Sequence, residues 1–167
     1  AQASGQVSAS GNLTIEAGDQ VDLRHEFRAE DETPTLFAAG DLSITAGTSI
    51  SGVPGTLIES DGNMSLTAGS IGLDRVGSFA SLSAIATTGG VTINNAEIEG
   101  NIGIFAQGDI TGNYSAGGDA FLSSGRNIVA SVNAAGGFPE PTNSDVRTAG
   151  NVYIDAAGNV PLIRTVR

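Results

Sequence analysis

The stretch Gly40-Asp41-Leu42-Ser43-Ile44-Thr45-Ala46-Gly47 recurs with small variations along most of the chain. In each copy the residues two and four after the leading Gly are apolar or Ala, and a small residue usually stands two positions further on. A period of two, bounded by Gly and Asn or Asp, is typical of a β-strand with one buried face. The other copies begin at Gly11, Gly62, Gly89, Gly100, Gly118 and Gly150.

A second apolar residue follows each leading Gly by nine or ten positions, so each unit is predicted to be a strand, a corner and a second strand. The leading glycines are 29, 22, 27, 11, 18 and 32 residues apart, which indicates a unit of about 20 residues with insertions and a half-unit at Gly89. Such periods are typical of stacked repeats. We therefore predict an all-β fold, a single parallel β-helix (β-solenoid) spanning residues 1–167. The second apolar residues are Val21, Ile50, Ile71, Ile98, Ile110, Ile128 and Val160.

Two stretches lack the repeat and are predicted to be loop excursions. Residues 24–36 are rich in charge, and residues 133–148 are rich in Gly, Pro, Asn and Ser. Pro139-Glu140-Pro141 lacks two of the backbone donors that a central strand needs. Insertions in solenoids fall at loops, so the loop interpretation is favoured over a metal or catalytic site formed by Glu30-Asp31-Glu32.

The charge of the chain disfavours several classes of partner. Its net charge is −11, and all seven basic residues are Arg. Nucleic acids and anionic membranes are bound through clustered Lys and Arg, so neither is an expected partner. No apolar run approaches the roughly 18 residues of a membrane span. The chain opens on Ala1 with repeats almost to both ends, and we expect a processed or excised segment.

The sequence offers little for catalysis. His25 is the single histidine and there is no Cys, which argues against a Ser-His-Asp triad and His- or Cys-based zinc sites. Nucleotide-binding motifs are missing, and Gly117-Gly118-Asp119 is an isolated fragment of a calcium repeat. We predict no catalytic, cofactor-binding or metal-binding residues and no enzyme. A polysaccharide-active β-helix enzyme is a minor alternative, because only Glu16 and Asp155 are outward-facing carboxylates.

The outward positions, three and five after each leading Gly, change character along the chain. After Gly100 they include Phe105, Phe121 and Tyr153, and because soluble proteins seldom leave such an apolar patch bare, we expect the 133–148 loop to fold back with Phe138 and cover them. The alternative is a binding stripe for sugars or a partner chain, with the aromatic faces as platforms. Before Gly100 a Thr and Ser file makes an ice-binding solenoid a minor alternative. Its members are Thr14, Ser43, Thr45, Ser65, Thr67 and Thr92.

Three asparagines, Asn12, Asn63 and Asn113, match glycosylation sequons. Two of them lie at the corner before a strand. We expect corner geometry to explain these asparagines, because Asn tolerates the left-handed backbone conformation.

The repeated phrase and the run from Gly90 to Ile102 resemble the repeats of filamentous haemagglutinin-like exoproteins of bacteria, which are two-partner secretion adhesins. The resemblance covers most of residues 11–162. It implies a right-handed parallel β-helix, export through an outer-membrane partner, and a secreted, cell-surface role in adhesion, biofilm cohesion or as a stalk. It also implies neighbouring β-helix segments, and host or matrix glycans, as partners. The alternative is a self-assembling fibre or sheath subunit whose uncapped coils stack end to end.

Overall fold

A computed structural model describes residues 2–4, 6–24, 35–134 and 150–160, in which there are 17 β-strands and no helix. The strands are short because each one forms a single side of a coil. In chain order they are β1 (Gln2–Ser4), β2 (Val7–Ala9), β3 (Leu13–Ala17), β4 (Gln20–Arg24), β5 (Leu36–Ala38), β6 (Leu42–Ala46), β7 (Ser49–Gly52), β8 (Leu57–Ser60), β9 (Met64–Ala68), β10 (Ser70–Ser78), β11 (Leu82–Ala86), β12 (Val91–Ile98), β13 (Ile102–Ala106), β14 (Ile110–Ala116), β15 (Ala120–Ser124), β16 (Ile128–Ala134) and β17 (Val152–Ala156).

The strands form two parallel sheets that share one core. The front sheet has seven strands in the order β17-β15-β13-β11-β9-β6-β3. The back sheet has ten strands, and its main path is β1-β4-β7-β10-β12-β14-β16. A branch, β2-β5-β8, joins the back sheet at β10, whose first part pairs with β7 and whose second part pairs with β8. Each coil therefore has three sides, one in the front sheet and two in the back sheet. This is the predicted parallel β-solenoid.

The core consists of aliphatic columns that run along the stack. Leu42 pairs in register with Met64, which pairs with Leu82, and all three are at most 2% exposed. The small residue at the end of each front strand leaves room for the turn into the back sheet. Ser124 takes this position in β15, and its buried hydroxyl lies 2.7 Å from the carbonyl oxygen of Gly108, to which it donates.

The predicted half-unit at Gly89 is wrong. β12 begins at Val91 and lies in the back sheet, where Val91 pairs with Ile71 and Ile110. The front strand of this coil is β11, and Ala80 stands where other copies have the leading Gly. Successive front strands then begin 29, 22, 18, 20, 18 and 32 residues apart, so no half-unit is needed. Ile98, predicted to start a second strand, instead ends β12.

Most of the two predicted excursions, together with His25, Glu30-Asp31-Glu32 and Phe138, lies outside the described residues. The neighbouring strands extend one or two residues into the approximate ranges predicted for them. Arg24 still belongs to β4, Leu36 already belongs to β5, and β16 runs to Ala134. The two longest spacings include residues 25–34, between β4 and β5, and residues 135–149, between β16 and β17.

Candidate functional site

Three aromatic side chains stand side by side on the front sheet, as the sequence predicts. Phe105, Phe121 and Tyr153 lie on the neighbouring strands β13, β15 and β17 and are 43%, 39% and 53% exposed. The ring centroids of Phe105 and Phe121 are 5.2 Å apart, and those of Phe121 and Tyr153 are 6.4 Å apart. The rings are tilted by 35° and 37° to each other. These spacings are within the range of favourable aromatic pairs.

The register of the strands explains how the three rings meet. Tyr153 is directly opposite Phe121, but Phe121 is opposite Gly103, and Phe105 is two residues further along its strand. A Cβ atom on Gly103 would lie 3.6 Å from Cε2 of Phe105. The missing side chain at this position thus gives the ring of Phe105 space to lean toward Phe121.

Ile85 extends the row by one coil and was missed in the sequence analysis. It lies on β11 directly opposite Phe105 and is 38% exposed. Recognising the stretch from Ala80 to Ala86 as a copy of the repeat would have identified it. We call Ile85, Phe105, Phe121 and Tyr153 the apolar stripe.

The Thr and Ser file continues from the stripe toward β3, but its predicted membership is partly wrong. Thr92 lies in the back sheet, where its Oγ1 atom is 2.8 Å from Oγ1 of Thr111. The outward residues of the front sheet fall into two columns. One column holds Thr14, Ser43, Ser65 and Ser83, and the other holds Glu16, Thr45, Thr67 and Ile85.

A line of hydrogen-bonded side chains borders the front sheet at the corner where each front strand begins. Oδ1 of Asn12 accepts the backbone N–H of Asp41 at 2.9 Å, and Oδ1 of Asp41 accepts that of Asn63 at 2.8 Å. The same step recurs at 2.7–3.2 Å from Ser81 to Asn101, from Asn101 to Asp119 and from Asp119 to Asn151. We call this line the corner ladder. Its members are Asn12, Asp41, Asn63, Ser81, Asn101, Asp119 and Asn151.

The corner ladder gives a direct reason for the Asn and Asp residues of the repeat. Five of these side chains, those of Asn12, Asp41, Ser81, Asn101 and Asp119, each supply an acceptor for a backbone N–H of the next coil, which a hydrocarbon side chain would leave unpaired. Asn12 and Asn63 lie at the corner, as their sequence positions predict. Their side chains also hydrogen-bond between coils: Oδ1 of Asn12 accepts the N–H of Asp41, and Nδ2 of Asn63 donates to Oδ1 of Asp41 at 3.4 Å. Asn113 has a similar role in the back sheet, where its Nδ2 donates to the carbonyl oxygen of Asn94 at 2.8 Å.

One back-sheet carboxylate has a perturbed pKa. Nδ2 of Asn94 donates to Asp74 at 2.8 Å, and the N–H of Gly55 donates at 2.6 Å. These two hydrogen bonds lower the pKa of Asp74 below its usual value. Gly55 has φ of 90° and follows Pro54, with the N–H of Thr56 donating to Val53 at 3.0 Å, as in a type II turn. Asp74 therefore fixes a turn and has an evident structural role.

Within the described ranges, no group of three or more His, Cys, Asp and Glu residues could hold a metal ion. The same part of the chain contains no helix long and apolar enough to cross a membrane. The fold and the stripe define a class, a parallel β-solenoid with an exposed apolar row on one face. Comparisons with protein-family models, curated proteins and solved structures gave no match.

Proposed function

We propose that the chain is a structural and binding segment of a secreted bacterial surface adhesin, in which stacked coils form a scaffold and the apolar stripe contacts the ligand. The observation that carries this proposal is the exposure of four apolar side chains on four consecutive front strands. Soluble proteins seldom leave a contiguous apolar patch without a partner.

The stripe is separate from the core that stabilises the fold. On β13, Ile102 and Ile104 point inward and are at most 2% exposed, whereas Phe105 points outward. Outward positions on the earlier front strands carry Ser and Thr without loss of the strand, as on β6 and β9. The aromatic residues are therefore not required by the repeat, and their presence favours a role in binding.

The chemistry of the stripe favours sugars over charged polymers. Aromatic faces pack well against the apolar C–H faces of pyranose rings. The net charge of −11 repels polyanions, and Asp155 lies two residues after Tyr153 on the same outward face. A neutral glycan of the host surface or of the biofilm matrix is the ligand class that we propose.

The cellular context of this proposal comes from the repeat phrase. Its resemblance to filamentous haemagglutinin-like exoproteins supports export to the cell surface and a rod that carries the stripe away from the cell. The columns of Leu, Ile, Val and Ala that run through all the coils are compatible with such a rod.

A matched pair of phenylalanines provides the test. Phe121→Ser removes the central ring of the stripe, and Phe79→Ser removes an exposed ring, 65% exposed, elsewhere on the surface. We expect Phe121→Ser to weaken retention on immobilised neutral polysaccharides and attachment to cultured cells about tenfold, which corresponds to about 1.4 kcal/mol. Phe79→Ser should bind like the parent chain. Equal binding by both variants, with unfolding curves unchanged, would remove the stripe from the proposal.

A further inference from the structure

The apolar stripe runs along the stack, with one side chain on each of four neighbouring front strands. These strands, β11, β13, β15 and β17, are about 4.8 Å apart, so the stripe extends over roughly 14 Å. The ring centroids are 5.2 and 6.4 Å apart, about the length of one pyranose unit. A single terminal sugar covers one ring and would leave the other side chains of the stripe without a ligand. The length of the stripe therefore favours a ligand that continues from coil to coil.

Polar side chains lie beside the stripe. Outward residues two positions apart on one strand are separated by roughly 6.6 Å, so Ser123 lies beside Phe121 and Asp155 lies beside Tyr153. Among the described residues, the side chains of Ser123 and Asp155 have no hydrogen-bond or ion-pair partner. A pyranose has apolar C–H faces and hydroxyl groups at its rim. Aromatic faces with hydrogen-bonding groups next to them are complementary to both parts of such a ring.

The charge of the front sheet limits the kind of glycan. On its seven described strands the outward side chains include two carboxylates, Glu16 and Asp155, and no Arg. A polyanionic glycan would therefore meet no basic side chain on this face and would be repelled by the net charge of the chain. An uncharged chain of sugars is the complementary ligand.

We propose that the stripe binds a linear, uncharged glycan that lies along the stack, with one sugar on each of the four side chains. The inference rests on the proposed function, because it concerns the same site. The ligand is an extended ribbon of β-1,4-linked pyranoses, since equatorial linkages keep the chain flat and let every unit present a C–H face to the same side. An α-1,4-linked chain coils instead and brings fewer faces onto the stripe.

Gly103 is a positioning residue for this ligand. It lies opposite Phe121, and a Cβ atom added to it would lie 3.6 Å from Cε2 of Phe105. A larger side chain would fill the space into which the ring of Phe105 leans and would separate this ring from Phe121. The stripe would then consist of two pairs, Ile85 with Phe105 and Phe121 with Tyr153. Gly103 therefore keeps the four side chains continuous.

Calorimetric titration with β-1,4-linked glucose oligomers of one to six units tests the inference. We expect the affinity to rise about tenfold from two units to four, because two more side chains are covered, and to level off beyond four. Equal affinity for two and four units would overturn the inference. Equal affinity for α-1,4-linked glucose oligomers of the same length would also overturn it.

The inference and the proposed function can fail separately. If the chain is retained on immobilised neutral polysaccharides but binds none of the β-1,4-linked oligomers, the inference is wrong and the proposed function stands. If Phe121→Ser and Phe79→Ser are retained equally well, the proposed function is wrong and the inference fails with it.

A variant of Gly103 tests the continuity of the stripe. Gly103→Val should lower the affinity for the four-unit oligomer about fivefold and leave that for the two-unit oligomer unchanged, because two units still fit on Phe121 and Tyr153. Gly72→Val, at an outward glycine of the back sheet, is the matched control and should bind both oligomers like the parent chain. An equal loss for the two oligomers in Gly103→Val would contradict the positioning role.

A second pair of variants tests the polar edge of the stripe. Asp155→Ala removes the acceptor beside Tyr153 and should weaken binding of both oligomers about threefold. Glu16→Ala makes the same change of charge at the equivalent position of β3, outside the stripe, and should have no effect. Equal affinities of these two variants would contradict the placement of the glycan beside Asp155.

Discussion

Gly112 and Tyr114 share one region of the core. Tyr114 is 2% exposed, and its hydroxyl donates to the carbonyl oxygen of Thr111 at 2.7 Å. Gly112 occupies a column position that holds Ile93 in the preceding coil and Ala130 in the next one. The ring of Tyr114 is accommodated because Gly112 has no side chain at this position of the column. The repeat pattern did not predict this exchange, because it involves residues on two sides of one coil.

We expect Gly112→Val to destabilise the chain strongly, by about 3 kcal/mol or more. The backbone at Gly112 has φ of 140°, and an added Cβ would meet the carbonyl group of Ile93 and lie 3.2 Å from the hydroxyl of Tyr114. Gly72→Val is the control, since a Cβ there would have no neighbour within 4 Å. Urea unfolding of both variants measures the difference. Equal stabilities would mean that Gly112 is not constrained.

Burial raises the pKa of the Tyr114 hydroxyl well above its usual value. Because the folded chain holds this proton more tightly than the unfolded chain, its contribution to stability is complete below the unfolded pKa of about 10. Stability should then fall as the pH rises above about 10. We expect Tyr114→Phe to lose this alkaline dependence while also losing about 1 kcal/mol from the missing hydrogen bond. Urea midpoints at neutral and alkaline pH test this, and an unchanged slope would contradict it.

At the scale of the single strand, the front strands follow the pattern that the sequence predicts. Leu42, Ile44 and Ala46 on β6 point inward, and Ser43 and Thr45 point outward. Period-two alternation was sufficient to predict these front strands, because each strand is short and has one buried face. It failed at β11, where Ala80 replaces the leading Gly and Ala84 replaces the larger aliphatic residue. The stretch from Gly89 to Ile93 has the same pattern as the repeat, although it leads into the back-sheet strand β12.

Ile44→Asp should abolish cooperative unfolding, whereas Ser43→Asp should change stability by less than about 1 kcal/mol. Burying an unpaired carboxylate costs several kcal/mol, a large share of a total stability of order 10 kcal/mol. The neighbouring position Ser43 is partly exposed and leaves the new charge in water. Thermal unfolding followed by circular dichroism distinguishes the two. Similar losses at both positions would mean that the burial alternation does not govern stability.

The candidate site was also predictable only in part, because the repeat pattern identifies outward positions only in the clear copies of the phrase. The outward positions of clear copies placed Phe105, Phe121 and Tyr153 on one face, but the contact between Phe105 and Phe121 depends on Gly103, which carries no apolar signal. Ile85 was missed with its strand. The corner ladder was visible as recurrent Asn and Asp, yet the acceptor role of these side chains depends on how the coils stack.

At the scale of the whole molecule, the recurrence of the phrase was enough to predict the stack, because no unit can bury its apolar side alone. The same nearest-neighbour logic predicts how the stack opens. Amide exchange should be slowest in β9, β11 and β13, which have front-sheet neighbours on both sides, and fastest in β3 and β17, which have one such neighbour among the described residues. Hydrogen exchange followed by mass spectrometry measures this gradient. Uniform protection from end to end would indicate one cooperative unit instead.

The hydrogen bonds between coils have a mechanical consequence, because they run along the axis of the stack. Tension applied between the two ends pulls on these bonds along their own direction. The coils should therefore detach one after another, starting from an end. Coils of 18 to 20 residues separate the front strands β9, β11, β13 and β15. Each of these turns would therefore release roughly 60–70 Å of extended chain when it detaches. The part of the stack from β9 to β15 should therefore lengthen in nearly equal steps as its turns detach, and the extended chain is severalfold longer than the stacked coils.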